Sequence, residues 1–138
     1  MQILGTMIAG AICDGRLPVV CVVDPDPACR NSLCALLQTL GVAVRIYESG
    51  EALLANLNGV WPLCIIAEIR LPNLSGLELL ARLQNCSEAT PLILLSSEPD
   101  VSLAVKAMRE GALDFIEKPH IDLFVLQDVE RLMAGQAS

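Results

Sequence analysis

Five short aliphatic runs, each followed by a segment with helical spacing of its apolar residues, constrain this chain more than any other feature. The runs are Val19–Val23, Ala43–Tyr47, Leu63–Ala67, Leu92–Leu95 and Leu113–Ile116. Three of them (VVCVV, LCIIA, LILL) are continuously apolar. That suits parallel strands covered on both faces, although a buried helical piece has the same pattern. Leu33, Leu36, Leu37 and Leu40 recur at i, i+3, i+4 and i+7, with Asp26 and Pro27 as a start signal and Gly41 as a stop. Ser49 opens a short helix carrying Leu53, Leu54 and Leu57, and Ser75-Gly76-Leu77-Glu78 is a capping box ahead of Leu79, Leu80 and Leu83. Asp100 caps a fourth helix, with Val101, Ala104, Val105 and Met108 on one stripe and Gly111 at its end. Ile121, Phe124, Val125, Val129 and Leu132 belong to a fifth. Five β-α units of about 20–25 residues predict an α/β fold, a doubly wound parallel sheet with any site at the carboxyl ends of its strands. Asp24, Glu68, Ser96 and Lys118 stand at or just past those ends.

A length of 138 residues suits one domain, and 54% hydrophobic residues supply its core. Aromatic residues are only 3%, so the core must be aliphatic. A net charge of −7 argues against direct binding to nucleic acid, which needs a basic surface. The six cysteines form no C-x-x-C pair, and with one histidine there is no zinc-like spacing. Cys21 and Cys64 sit in apolar runs as buried hydrophobes, and a reduced, cytoplasmic setting is expected. Ile3–Ile12 is apolar but has no basic residue before it and is too short to span a bilayer, so neither a signal peptide nor a membrane anchor is read there. The expected organisation is an apolar extension over 1–18 that packs on its own domain or on a second copy, a domain over 19–134 and a tail over 135–138.

VVDPDPACRNSL (22–33), CIIAEIRLPNLSGLELL (64–80) and PLILLSSEPDVSLAVKAMREGALDFIEKP (91–119) together resemble the response-regulator receiver domains of two-component signalling, in particular those of the nitrogen-fixation type. The resemblance covers about residues 19 to 133. It implies a five-stranded (βα)5 flavodoxin-like sheet with strand order 2-1-3-4-5. It also implies phosphoryl transfer from a kinase phosphohistidine to an aspartate ending the third strand, assisted by a divalent cation, a hydroxyl and a lysine. Carried over residue by residue, the hydroxyl is Ser96, the lysine is Lys118 before Pro119 in a bond typically cis in this family, and the switch aromatic is Phe115.

The match breaks at two positions. Glu68 stands at the phosphoacceptor position in place of aspartate. Of the two acidic pocket residues, Asp24 is kept, while the family's direct metal-ligand position holds Pro25, which offers no side-chain ligand. One extra methylene carries a carboxylate about 1–1.5 Å further, enough to spoil an in-line attack and to bring Glu68 to Lys118. Asp24 alone is expected to hold a metal weakly or not at all, so no cofactor is expected, and Mg2+ only if the site works. Asp26 is assigned to helix capping, His120 to solvent, and Tyr47 and Trp61 to packing.

The expectation is a non-enzymatic receiver-like module with a degenerate phosphorylation site that acts through protein contacts. Its partners would be a sensor histidine kinase or an output protein, with a possible homodimer through residues 101–133 or the N-terminal extension, and no membrane. One alternative is a working phosphoacceptor receiver in which Glu68 accepts phosphoryl or Asp26 replaces the missing ligand. Another is a small flavodoxin-like enzyme or nucleotide binder, disfavoured because Asp24-Pro25-Asp26-Pro27 stands where a glycine-rich phosphate loop would follow the first strand.

Overall fold

Strands and helices alternate throughout the computed structural model, which describes residues 17–57, 61–85, 90–118 and 121–137. The order is β1 (Val19–Val23), α1 (Pro27–Gln38), β2 (Ala43–Tyr47), α2 (Gly50–Ala55), β3 (Cys64–Glu68), α3 (Gly76–Gln84), β4 (Leu92–Ser96), α4 (Val101–Arg109), β5 (Asp114–Glu117) and α5 (Ile121–Ala137). All strand pairs are parallel and the sheet order is β2-β1-β3-β4-β5. The chain reverses its direction of travel between β1 and β3, so their carboxyl ends flank the crevice where such folds place a site.

The continuous apolar runs follow from burial on both faces. Successive side chains of a strand point to opposite sides. Cys21, Val23, Ile65, Ala67, Leu92 and Leu94 therefore join one core with Leu53, Leu79, Leu83 and Ala107 of α2, α3 and α4. Val20, Val22, Cys64, Ile66, Ile93 and Leu95 join a second with Leu33 and Leu37 of α1 and Val125 and Val129 of α5. Tyr47 and Trp61 pack against the first core, as expected of them. Burial pushes the Cys21 and Cys64 thiols up to about 12, so both stay protonated.

The helix starts follow their caps. Asp26 accepts from the Ala28 amide, Ser49 from Ala52 and Asp100 from Leu103. Ser75 and Glu78 exchange the two bonds of a capping box. Gly41 and Gly111, the predicted stops, lie just beyond their helices at φ 77° and 108°.

Some boundaries and faces differ from expectation. β5 begins at Asp114 rather than Leu113, whose side chain is left exposed. α5 runs on to Ala137, through residues read as a tail. The stripe Val101-Val105-Met108 faces outward, with Val101 79% exposed, while Ala107 is the buried residue of α4. Spacing identifies an apolar stripe but not which neighbour covers it. The N-terminal extension through residue 16, Cys86, Pro119 and His120 lie outside the described residues.

Gly76, the first residue of α3, closes the fold against the end of β3. A Cβ there would stand 2.9 Å from the Ile69 Cα and 3.2 Å from the Glu68 carbonyl oxygen. Its amide donates to the Ile69 carbonyl at 2.9 Å. Gly→Ala in a helix ordinarily stabilises, but here Gly76→Ala is expected to cost about 1–3 kcal/mol in urea unfolding, because backbone must give way.

Candidate functional site

The carboxyl ends of β1, β3, β4 and β5 bring Asp24, Glu68, Ser96 and Lys118 together. Glu68 and Ser96 are the last residues of their strands, and Asp24 and Lys118 each follow one directly. Asp24 is 2% exposed, Glu68 6% and Ser96 1%, so all three polar side chains are held out of water. The Lys118 amide donates to the Ser96 carbonyl at 2.8 Å, and the Asp24 amide to the Tyr47 carbonyl at 3.1 Å. These bonds extend the sheet ladder by one step and fix where both side chains leave it.

The Lys118 ammonium lies 2.9 Å from Glu68 Oε1 and 3.6 Å from Asp24 Oδ2. Burial pulls that ammonium down, but the hydrogen bond and charge of Glu68, aided by Cys29 and Asp24, outweigh it and hold the group above its ordinary range. Two carboxylates and one ammonium leave the cluster with one net negative charge. Glu68 Oε2 receives only a long 3.4 Å contact from the Arg70 amide. Asp24 Oδ1 accepts from the Asp26 amide at 2.8 Å, while Oδ2, with no hydrogen-bond partner among the described residues, lies beside the Lys118 ammonium.

The other predicted members take different roles. Ser96 Oγ donates to the Glu98 carbonyl at 2.6 Å and accepts from the Glu98 amide at 3.2 Å, a local turn rather than a contact with Glu68. Pro25 is exposed, and Asp26 is spent on the α1 cap, so it supplies no second pocket carboxylate. Phe115 is half-buried against the first core and borders a shallow groove with Ala104, Val105 and Met108.

Four contributors escaped the sequence reading. Arg30 Nη1 donates to the Asp24 carbonyl at 2.7 Å. Arg70 and Glu98 form an exposed 3.3 Å pair linking the β3–α3 and β4–α4 loops. Cys29 faces Asp24 and Lys118 from the first turn of α1, and burial followed by Asp24 pushes its thiol up to about 11, against Lys118. The placement of Cys29 and Arg30 five and six residues after Asp24, in the helix that Asp26 caps, was the available signal.

Magnesium takes near-octahedral oxygen ligands, commonly one or two carboxylates with waters and phosphate. Here Pro25 supplies no side-chain oxygen, Glu68 is engaged by lysine, and a monovalent ammonium already lies between the two carboxylates. The buried Asp24 Oδ2, without a hydrogen bond among the described residues, is already 3.6 Å from that ammonium. The residues do not fit that ion. Among the described residues, no cluster of three or more His, Cys, Asp or Glu side chains could hold a metal, and no helix is long and apolar enough to cross a membrane.

Residues 20–128 match the model of the response regulator receiver domain. The chain is 40% identical over 101 residues to the transcriptional regulatory protein FixJ of Bradyrhizobium diazoefficiens, covering 73% of this chain and 49% of that one. It is 38% identical over 120 residues to FixJ of Rhizobium meliloti, covering 84% and 59%. It thus spans about half the length of these curated relatives. The crystal structure of FixJ-N superposes with a TM-score of 0.75 at 37% identity, covering 83% of this chain and 92% of that one.

Proposed function

Since the chain belongs to the response regulator receiver domain family, we propose that it serves two-component signalling as an atypical, phosphorylation-independent module acting through protein contacts. The observation that carries this is the 2.9 Å bond between Glu68 and Lys118. Phosphoryl transfer needs a carboxylate free to attack in line, a cation to screen the charges, and a lysine free for the incoming oxygens. Glu68 and Lys118 neutralise each other instead, and the missing carboxylate at Pro25 weakens any cation site in the same direction. The module would work as a binding partner rather than a catalyst, without cofactor and in the cytoplasm. Its counterpart is a sensor histidine kinase, an output protein or a second copy. The outward residues Val101, Val105, Met108 and Phe124 on α4 and α5 support contact through that face.

Beryllofluoride with Mg2+ mimics a phosphoryl group on a receiver carboxylate and provides the test. The expected result is an amide NMR spectrum unchanged around residues 24, 68, 96 and 118 at millimolar additive. Saturable shifts centred on those residues would overturn the proposal in favour of a working phosphoacceptor.

A further inference from the structure

Away from the strand ends, α5 turns an ionisable side chain in toward the sheet. Asp128 precedes the fully buried Val129, and its own side chain is 9% exposed. Among the described residues its Oδ2 meets no hydrogen-bond donor. The cation beside it, Arg131 on the same helix, is 76% exposed and reaches Oδ1 only at 3.7 Å. From β5 it is faced by the carboxyl of Asp114 within hydrogen-bonding reach, and from β3 by the Cys64 thiol, which stays protonated. α1 offers the shared core leucines and the Cys29 thiol, which faces Asp24 instead. The Asp114 Oδ1 accepts from the Phe115 amide at 2.8 Å.

Two carboxylates can bond to each other only when one carries a proton, and a pair with one member buried and no firm cation resists double ionisation. We propose that Asp114 and Asp128 share one proton across the β5–α5 contact, so that docking of α5 on the sheet is proton-linked. Burial, then the hydrogen bond and charge of Asp114, push Asp128 up to about 7, with Arg131 pulling the other way. Between about pH 4 and 7 the folded chain holds a proton that the unfolded chain has released, so stability falls as pH rises through that window. The inference is independent of the phosphoryl site.

The test is a pH titration of the full chain with 13C-labelled aspartate carboxyls, on wild type, Asp114→Asn and Asp128→Asn. In wild type one aspartate signal should titrate within about a unit of pH 7, far above the ordinary aspartate. That signal should disappear in Asp128→Asn, and in Asp114→Asn the midpoint of Asp128 should drop by about one unit or more. The fall in melting temperature from pH 5 to 8 should flatten in Asp128→Asn. Wild-type midpoints all below about pH 5 would overturn the proposal, and need no variant to fold. So would a high midpoint that survives in both variants.

Discussion

Replacing Lys118 with methionine is expected to destabilise the domain by about 3–4 kcal/mol, roughly 10 °C in melting temperature. Methionine keeps most of the side-chain volume, so the loss is electrostatic. Lys118 is 26% exposed, whereas the Glu68 and Asp24 side chains are 8% and 3% exposed. Removing the ammonium leaves two neighbouring carboxylates with no cation in a place that water barely reaches. Breaking a buried pair costs more than never having built it, because the surviving charges stay desolvated. The variant can escape by taking up a proton between the two acids. This makes the deficit relative to wild type largest above neutral pH and smaller near pH 5, where such a proton is easily held. Urea unfolding at pH 7.5 and pH 5 checks both statements. Adding Glu68→Gln to Lys118→Met should recover a substantial part of the loss, since it removes one stranded charge. A deficit below about 1 kcal/mol at pH 7.5 would mean that the trio is solvated and contributes like a surface pair.

The fold was legible because its signals are redundant. Uninterrupted aliphatic runs identified β1, β3 and β4, and side-chain caps at Asp26, Ser49, Ser75 and Asp100 fixed four helix starts. β5 was harder: Asp114 interrupts its run, and the strand edge shifted by one residue. The outward stripe of α4 was misplaced for a related reason. Periodicity finds an apolar face, whereas the covering neighbour is set by tertiary packing, here through Leu103 and Ala107. The members of the strand-end cluster were legible because parallel topology gathers residues that follow strands, however far apart in sequence. Their bonding was only half legible. The closeness of Glu68 to Lys118 was anticipated from one added methylene, but the engagement of Ser96 with Glu98 depends on a local turn. Asp128 was invisible because a lone acid in a helix reads as solvated until the sheet behind it is known.

We attribute the proposed loss of phosphoacceptor chemistry in this receiver pocket to Glu68 and Pro25. Its most direct test is phosphoryl uptake from acetyl phosphate with Mg2+, followed by intact-mass spectrometry. Wild type, Pro25→Asp, Glu68→Asp and the double variant Pro25→Asp/Glu68→Asp are compared side by side. In the reaction, a carboxylate oxygen attacks phosphorus and acetate leaves, giving a base-labile acyl phosphate on the protein. The shorter aspartate frees Lys118 from the 2.9 Å bond and draws the nucleophile back, while the new carboxylate at position 25 completes a cation site beside Asp24. Displacing a reacting group by about 1 Å costs on the order of a hundredfold in rate. The double variant is therefore expected to gain one phosphoryl group at least about 100-fold faster than wild type, with each single variant in between. Wild type that takes up a base-labile phosphoryl group as fast as the double variant would overturn the proposal. So would a double variant that folds normally yet remains unmodified.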